Sequence, residues 1–352
     1  MIKVGIIGAG GYGGCGAVEI LSRHPHVQIT ALIDKENVGH PISDIYPHLK
    51  NFCDLRILSP EDPVIDELDL DVVFFATPDG VGQREAPKWL EKGVKVIDYS
   101  GDFRFDNPEK YFGYAKRIGI NAPHASSKLL QESVYGLPEL HRRDIANSKL
   151  VGNPGCFAVS CILGLAPVVK NSLIDLDSII CDAKTGVSGA GKNPHPLFHY
   201  PARYDSMNAY KIASHQHVYE MEMELGALAE RKIRLSFTPH VVPLCRGILS
   251  TIYAKLDQGF GIKDVLDAYH EFYKGEMFVR IFKPGSLLQT AHVRGSNFCN
   301  ICPNVDERSG RLIIISLIDN LVKGQAGNAV QNMNIMFGME ESAGISYPGM
   351  YP

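Results

Sequence analysis

The chain has 352 residues, 45% of them hydrophobic and 21% charged, with a formal net charge of −4. That length exceeds one ordinary core and points to two domains. The near-neutral balance leaves no footprint for nucleic acid or a membrane surface. No apolar stretch approaches a membrane span, and eight cysteines in a long chain with no secretory signal read as reduced thiols of a cytoplasmic protein.

In chain order, Ile2–Ile7 predicts a buried strand that runs into Gly8-Ala9-Gly10-Gly11-Tyr12-Gly13. A G-x-G-x-x-G between strand and helix is a dinucleotide fingerprint, because the glycines permit a tight turn and let a pyrophosphate approach the helix N-terminus. Gly8, Gly10, Gly11, Tyr12 and Gly13 are therefore candidate cofactor residues. A helix over Ala17–Ser22 ends before Pro25, and Val27–Ile33 is the second strand, closed by Asp34. An acid there suits the ribose 2′-OH of NAD, whereas the adjacent Lys35 suits the 2′-phosphate of NADP. Val72–Ala76 and Val94–Tyr99 are the third and fourth strands, with Arg84–Lys92 a helix between them that turns Trp89 and Leu90 inward. Thr77 and Pro78 fall on the carboxyl edge, where such sheets bind ligands. The alternation predicts an α/β fold, a Rossmann-type doubly wound parallel sheet with helices on both faces.

Asn153-Pro154-Gly155-Cys156-Phe157 breaks the chain just before an apolar run that reads as a buried helix ending near Pro167. A cysteine at a helix N-terminus meets backbone N–H groups and a dipole that favour the thiolate, which is how a nucleophile is made of it. An inert core cysteine is the plainer alternative, but Cys156 stands at the break and not inside the run. Beyond it, Ser178–Cys181, Ile233–Phe237, Gly247–Ala254 and Arg311–Ile318 read as strands, and Tyr219–Glu230 and Ile262–Phe272 as helices, predicting an α+β second domain. Cys299-Asn300-Ile301-Cys302 lacks a second pair for zinc and reads as strand. His215 and His217 share a face on a strand but not on a helix, and supply an acid/base near neutral pKa. With no third ligand in view, no metal is expected. Ser188-Gly189-Ala190-Gly191-Lys192 is an anion cradle, rich in backbone N–H groups with one cation. Arg104 and Arg246 are further candidates to grip substrate charge. Lys323-Gly324 begins a glycine-broken segment with a helix from about Asn328 to Phe337.

A helix-start cysteine beside a dinucleotide fold suggests an aldehyde-forming oxidoreductase that works through a thioester. The chain resembles the N-acetyl-γ-glutamyl-phosphate reductase family, related to aspartate-semialdehyde dehydrogenases. The likeness rests on GAGGYGG at residues 8–14, Asp102-Phe103-Arg104, Tyr135 to Glu139 and Asn153 to Phe157. It continues through Gly186 to Gly191, Ala209-Tyr210, His215-Gln216-His217, Phe237 to His240, Arg246 to Leu249 and Lys323 to Asn334.

The resemblance implies a dinucleotide domain at residues 1–154 and 323–352, and a catalytic and oligomerisation domain of the semialdehyde/glyceraldehyde-phosphate dehydrogenase type at 155–322. It also implies NADP(H) in preference to NAD(H), a small acyl-phosphate substrate and a homodimer or homotetramer. Cys156 and His217 would be catalytic. Ser188, Gly189 and Asn332 would meet the cofactor, with Asn332, or else Gln331 or Asn328, placing an amide near the nicotinamide. Arg104, Lys192, His215, Glu220 and Arg246 would meet the substrate. The chain departs from the family pattern at Asp34-Lys35, Val159, Lys192 and Tyr219, and at Arg203, an added cation near the substrate loop. These departures keep one rival open, a reductase of a carrier-protein-linked aminoadipyl or glutamyl phosphate. A rival of another class, a non-catalytic NAD(P)-binding regulator in which Cys156 is structural, is opposed by intact Cys156, His217 and Arg246.

Overall fold

Strand β1 (Ile2–Ile7) has neighbours on both sides, as its near-continuous apolar sequence requires. The computed structural model describes residues 1–352, which fall into two units: Met1–Pro154 with Gln325–Ser346, and Gly155–Gly324 with Tyr347–Pro352. The first unit runs β1, α1 (Tyr12–Leu21), β2 (Val27–Ile33), α2 (Ile42–Ile45), β3 (Ile57–Leu58), β4 (Val72–Phe75), α3 (Gly82–Glu91), β5 (Lys95–Asp98), α4 (Pro108–Arg117), β6 (Val134–Tyr135), α5 (Pro138–Asn147) and β7 (Leu150–Gly152). Its seven strands are parallel, in the order β3-β2-β1-β4-β5-β7-β6. The order in which successive strands are added reverses between β1 and β4, so the loop after β1 opens at the switch point where doubly wound sheets take ligands. Trp89 lies on the inner face of α3 with Gln83 and Ala86, while Leu90 is half-exposed. Pro87 sits inside α3 and removes one helical N–H; the Gln83 carbonyl it would have served accepts from Ser126 Oγ at 2.6 Å.

The second unit runs α6 (Cys156–Lys170), β8 (Ile174–Thr185), α7 (Tyr200–Arg203), β9 (Asn208–Ala209), α8 (Val218–Leu228), β10 (Ser236–Val241), β11 (Ile248–Leu256), α9 (Ile262–Phe272), β12 (Val279–Ile281), β13 (Cys299–Asp306) and β14 (Arg311–Ile318). Its mixed sheet has the order β12-β13-β14-β11-β8-β10-β9. Helix α6 is buried along almost its whole length. Ser160 Oγ bonds Ser250 Oγ on β11 at 2.9 Å and Ser316 Oγ on β14 at 3.2 Å, and Ser316 Oγ donates to the Ser160 carbonyl at 2.8 Å. These directional contacts fix the rotation of α6 against the sheet, which apolar packing alone would leave looser. A π-turn at Val322–Ala326 leads into α10 (Gly327–Met336), whose chain returns to the first unit.

Several boundaries differ from the sequence reading, among them β8, which runs Ile174–Thr185 where the sequence reads as strand only over Ser178–Cys181. Helix α6 runs through Pro167 to Lys170 instead of ending there, because the Leu163 carbonyl freed by the proline accepts from the Tyr273 hydroxyl. Strand β10 begins at Ser236, three residues after Ile233. The return segment ends at Ser346: Tyr347–Pro352 belongs to the second unit, where Met350 N donates to the Arg294 carbonyl at 2.7 Å. No helix is long and apolar enough to cross a membrane.

Candidate active site

In the second unit, Cys156 is the first residue of α6, with Gly155 at the N-cap and no side-chain cap or first-turn acid to occupy the helix start. The N-terminal amides and dipole are thus left to stabilise an anion at the thiol. Cys156 is partly accessible, unlike its buried neighbours Phe157 and Ala158. Glu220, on the first turn of α8, accepts from Gly155 N at 2.9 Å. Its other oxygen lies 4.0 Å from His217 Nε2.

The His217 ring packs on Gly155 itself. A Cβ there would stand 2.4 Å from Nε2, and one on Gly324 would stand 2.6 Å from the Cys156 Cβ. Only glycine admits the imidazole on one side of the thiol and the chain turn on the other. His217 thus packs on the residue that precedes the cysteine, with a buried carboxylate 4.0 Å from its Nε2.

His215 and His217 lie in a turn ahead of α8, not on the strand their spacing allowed. His215 Nδ1 accepts from His217 N at 3.2 Å, and the rings are 4.7 Å apart. Burial, then the neighbouring His217 and Lys211, push the His215 pKa down to about 2. Boxed by Phe157, Tyr210 and Phe237, it is a neutral brace and not the substrate ligand expected of it. Glu220 needs a similar correction: with no exposed surface it orients Gly155 and His217 and does not meet substrate. Tyr210 was not singled out from sequence. Burial foremost, and then the nearby Cys156, raise its phenol pKa well above the usual range, so it persists as a hydroxyl donor beside the thiol.

Arg246 keeps a buried Nε without a hydrogen-bond partner, its nearest acid being Asp319 at 3.8 Å. A guanidinium so placed retains capacity for an anion. The expected cradle is more committed than its sequence suggested. Val187 N, Ser188 N and Gly191 N donate to the carbonyls of Leu244, Cys245 and Ser188, and Ser188 Oγ accepts from Asn320. Gly189 lies within that short turn, and Lys192 is half-buried just after it. Arg203 is buried, with its guanidinium on the carbonyls of Leu197, Ser206 and Val241 and on Asn208 Oδ1. It is a structural clamp, which removes the added cation that had kept a carrier-linked substrate in play.

The first unit holds the dinucleotide candidates. Gly8 has φ +83, and a Cβ there would strike the Ala76 carbonyl at 2.4 Å, so β1 and the end of β4 meet only through glycine. Gly8 N and Ala9 N donate to the Ile33 carbonyl, Gly11 N to the Gly8 carbonyl, and the Tyr46 hydroxyl to the Gly10 carbonyl. Helix α1 then starts at Tyr12 with neither side-chain cap nor first-turn acid, an open N-terminus with Gly13 in its first turn. The Asp34 carboxylate accepts from Gly10 N at 2.9 Å and Glu36 N at 3.2 Å, while Lys35 is exposed. Thr77, followed by Pro78, carries a buried Oγ1 that has no hydrogen-bond partner. An orphan hydroxyl beside a glycine cradle and an uncapped helix fits a dinucleotide.

Two first-unit assignments change. Arg104 is buried, its Nε donating to the Asn153 carbonyl at 2.7 Å and its terminal nitrogen to that of Tyr99, so it bolts the Asn153 turn instead of gripping substrate. Asn332 is fully buried and its amide nitrogen is committed to the Gly136 carbonyl and Asn153 Oδ1, as that of Asn328 is, which leaves only its Oδ1, without a hydrogen-bond partner, to meet a cofactor. Gln325 was missed: its amide rests on Gly13, 2.9 Å from where a Cβ would be, and its buried Oε1 has no hydrogen-bond partner.

Residues 3–148 match the semialdehyde dehydrogenase NAD-binding domain, and residues 156–320 the semialdehyde dehydrogenase dimerisation domain. Proteins named N-acetyl-gamma-glutamyl-phosphate reductase from Acetivibrio thermocellus and Geobacter metallireducens are 45% and 43% identical, each aligned over the whole of both chains. Among solved structures, aspartate semialdehyde dehydrogenase II from Vibrio cholerae, complexed with ASA, has a TM-score of 0.70 at 18% identity, covering 96% of this chain and 98% of that one. Aspartate semialdehyde dehydrogenase with NADP from Candida albicans has a TM-score of 0.67 at 16% identity, covering 96% and 98%. The chain is a member of the N-acetyl-γ-glutamyl-phosphate reductase family, built on the semialdehyde dehydrogenase fold.

Proposed function

We propose that this chain reduces N-acetyl-γ-glutamyl phosphate to the corresponding semialdehyde and inorganic phosphate through a thioester on Cys156, the step of arginine biosynthesis for which its relatives are named. The observation that carries this reading is the thiol at an uncapped helix start with His217 packed across Gly155 and Glu220 behind both. His217 takes the thiol proton; the thiolate attacks the acyl carbonyl, a C–S bond forms and the C–O bond to phosphate breaks. The nicotinamide cofactor, when bound, supplies the hydride that reduces the thioester carbon. The resulting thiohemiacetal collapses to aldehyde and thiolate, and His217 returns the proton. Arg246 holds the anionic part of the substrate, joined by Lys192, while Glu220 and His215 position the imidazole. Gly8, Gly10, Gly11, Tyr12, Gly13, Thr77 and Gln325 would hold the dinucleotide.

NADP(H) is the favoured cofactor in this reading. Both Asp34 oxygens already accept backbone N–H groups, and exposed Lys35 beside it suits a 2′-phosphate. The outer face of the mixed sheet carries Ile180, Tyr253, Ile313 and Ile315 only partly covered, which favours pairing of two copies through that face in a cytoplasmic homo-oligomer. The test is purified enzyme with free N-acetyl-γ-glutamyl phosphate and NADPH, assayed for equal amounts of NADPH consumed, phosphate released and semialdehyde formed. Turnover only with a carrier-linked acyl phosphate would overturn the substrate assignment, and no turnover with either would favour the regulator.

A further inference from the structure

We propose that Cys15, Glu19 and His48, in the first unit, form a binding site for a divalent transition-metal ion of the zinc class. Cys15 and Glu19 lie one turn apart on α1 and share a face, and the short turn Pro47–Leu49 brings His48 to them. Their ligand atoms all lie within 4.8 Å of one another. The Cys15 Sγ is 3.8 Å from Glu19 Oε1, and the same oxygen is 2.8 Å from His48 Nε2.

Metal–sulfur bonds of about 2.3 Å and metal–nitrogen or –oxygen bonds of about 2.0 Å in a tetrahedron give edges of roughly 3.3 to 3.6 Å. The cysteine–glutamate edge is already near that length. The glutamate–histidine edge must open by about half an ångström to reach it, a movement within reach of a His48 side chain that is 54% exposed.

The donor set identifies the class of ion. A thiolate with an imidazole and one carboxylate suits zinc and its neighbours, whereas magnesium and calcium take oxygen ligands. One thiolate and one carboxylate balance a 2+ charge, and binding releases the thiol proton. Cys15 is buried and turns its sulfur toward Glu19. An ion pair tying α1 to the turn would need no sulfur at that position. The turn is held in place independently, since the Tyr46 hydroxyl donates to the Gly10 carbonyl at 2.9 Å. The exposed side of His48 leaves the fourth position to water and provides the way in.

Cobalt(II) is the probe, added to purified full-length protein carrying Cys156→Ser so that the nucleophilic thiol contributes nothing. The expected result is tetrahedral d–d absorption in the visible with a thiolate-to-cobalt charge-transfer band in the near-ultraviolet, saturating at one ion per chain and displaced by zinc. Adding Cys15→Ser should abolish the charge-transfer band. His48→Gln, on an exposed side chain that the fold does not depend on, should weaken binding by about tenfold or more, since even changes outside the ligand sphere cost that much. Absence of the bands at millimolar cobalt, or their persistence in the Cys15→Ser protein, would overturn the proposal.

Discussion

Replacing Gly155 by alanine isolates the geometry on which proton transfer at Cys156 depends. Gly155 has φ −73 and ψ 143, a conformation open to any residue, so the substitution changes only what fills the space. The new Cβ would stand 2.4, 2.6 and 2.7 Å from Nε2, Cε1 and Cδ2 of His217. Ordinary contact begins at 3.4 Å, so the ring must withdraw by about 1 Å. His215 and Phe157 box that ring at centroid distances of 4.7 and 6.1 Å, which makes a clean retreat costly. A misplacement of about 1 Å at a reacting group lowers the rate about 100-fold, and overpacking costs about 1 to 3 kcal/mol of stability. Steady-state kcat should therefore fall by about two orders of magnitude in protein that still folds and binds NADPH, as followed by cofactor fluorescence. A kcat within about threefold of the native value would refute the placement of His217 as the partner of Cys156.

Three other outcomes are expected. Glu220→Gln keeps the shape but removes the charged acceptor from Gly155 N; it should lower both the melting temperature, through a loss of about 1.5 to 3 kcal/mol, and kcat, whereas a purely structural glutamate would lower only the first. Lys35→Ala should raise KM for NADPH about tenfold, the worth of one charge-assisted hydrogen bond of about 1.5 kcal/mol, and leave KM for NADH unchanged; parallel initial-rate series with the two cofactors decide it. Asp98 is fully buried, and its pKa is pushed up to about 8, first by desolvation and then by the Asp102 charge. The folded chain thus keeps a proton that the unfolded chain loses near pH 4. This carboxyl's contribution to stability is complete below that pH and is lost as pH rises toward 8. Asp98→Asn should flatten that part of the decline in melting temperature between pH 4 and 8, and an unchanged slope would contradict it.

What could be read from sequence was what short-range chemistry dictates. The glycine fingerprint announces its strand, turn and helix because each residue's conformational need is local. Cys156 announces itself because Pro154 and Gly155 mark the helix start one residue away. Pro167 misled for the complementary reason: the carbonyl it frees is satisfied by Tyr273, more than a hundred residues later in the chain. The arginines were illegible too. Arg104 and Arg203 are tied to carbonyls both close in the chain (Tyr99, Leu197, Ser206) and far from it (Asn153, Val241), and no pattern of residue types announces such bonds, so a buried clamp and a substrate ligand look alike in sequence. Asn332 and Gln325 stand seven residues apart in one polar segment, and only the fold tells which amide is enclosed and which rests on the glycine loop.

The central claim is the covalent intermediate, and it can be weighed directly. Enzyme mixed with N-acetyl-γ-glutamyl phosphate in the absence of any nicotinamide cofactor, quenched in acid and digested, should carry one N-acetylglutamyl group on the peptide containing Cys156, with a matching release of phosphate. The Cys156→Ser protein should carry none. Full turnover by an enzyme that never shows this adduct, or an adduct on another of the eight cysteines, would contradict the account.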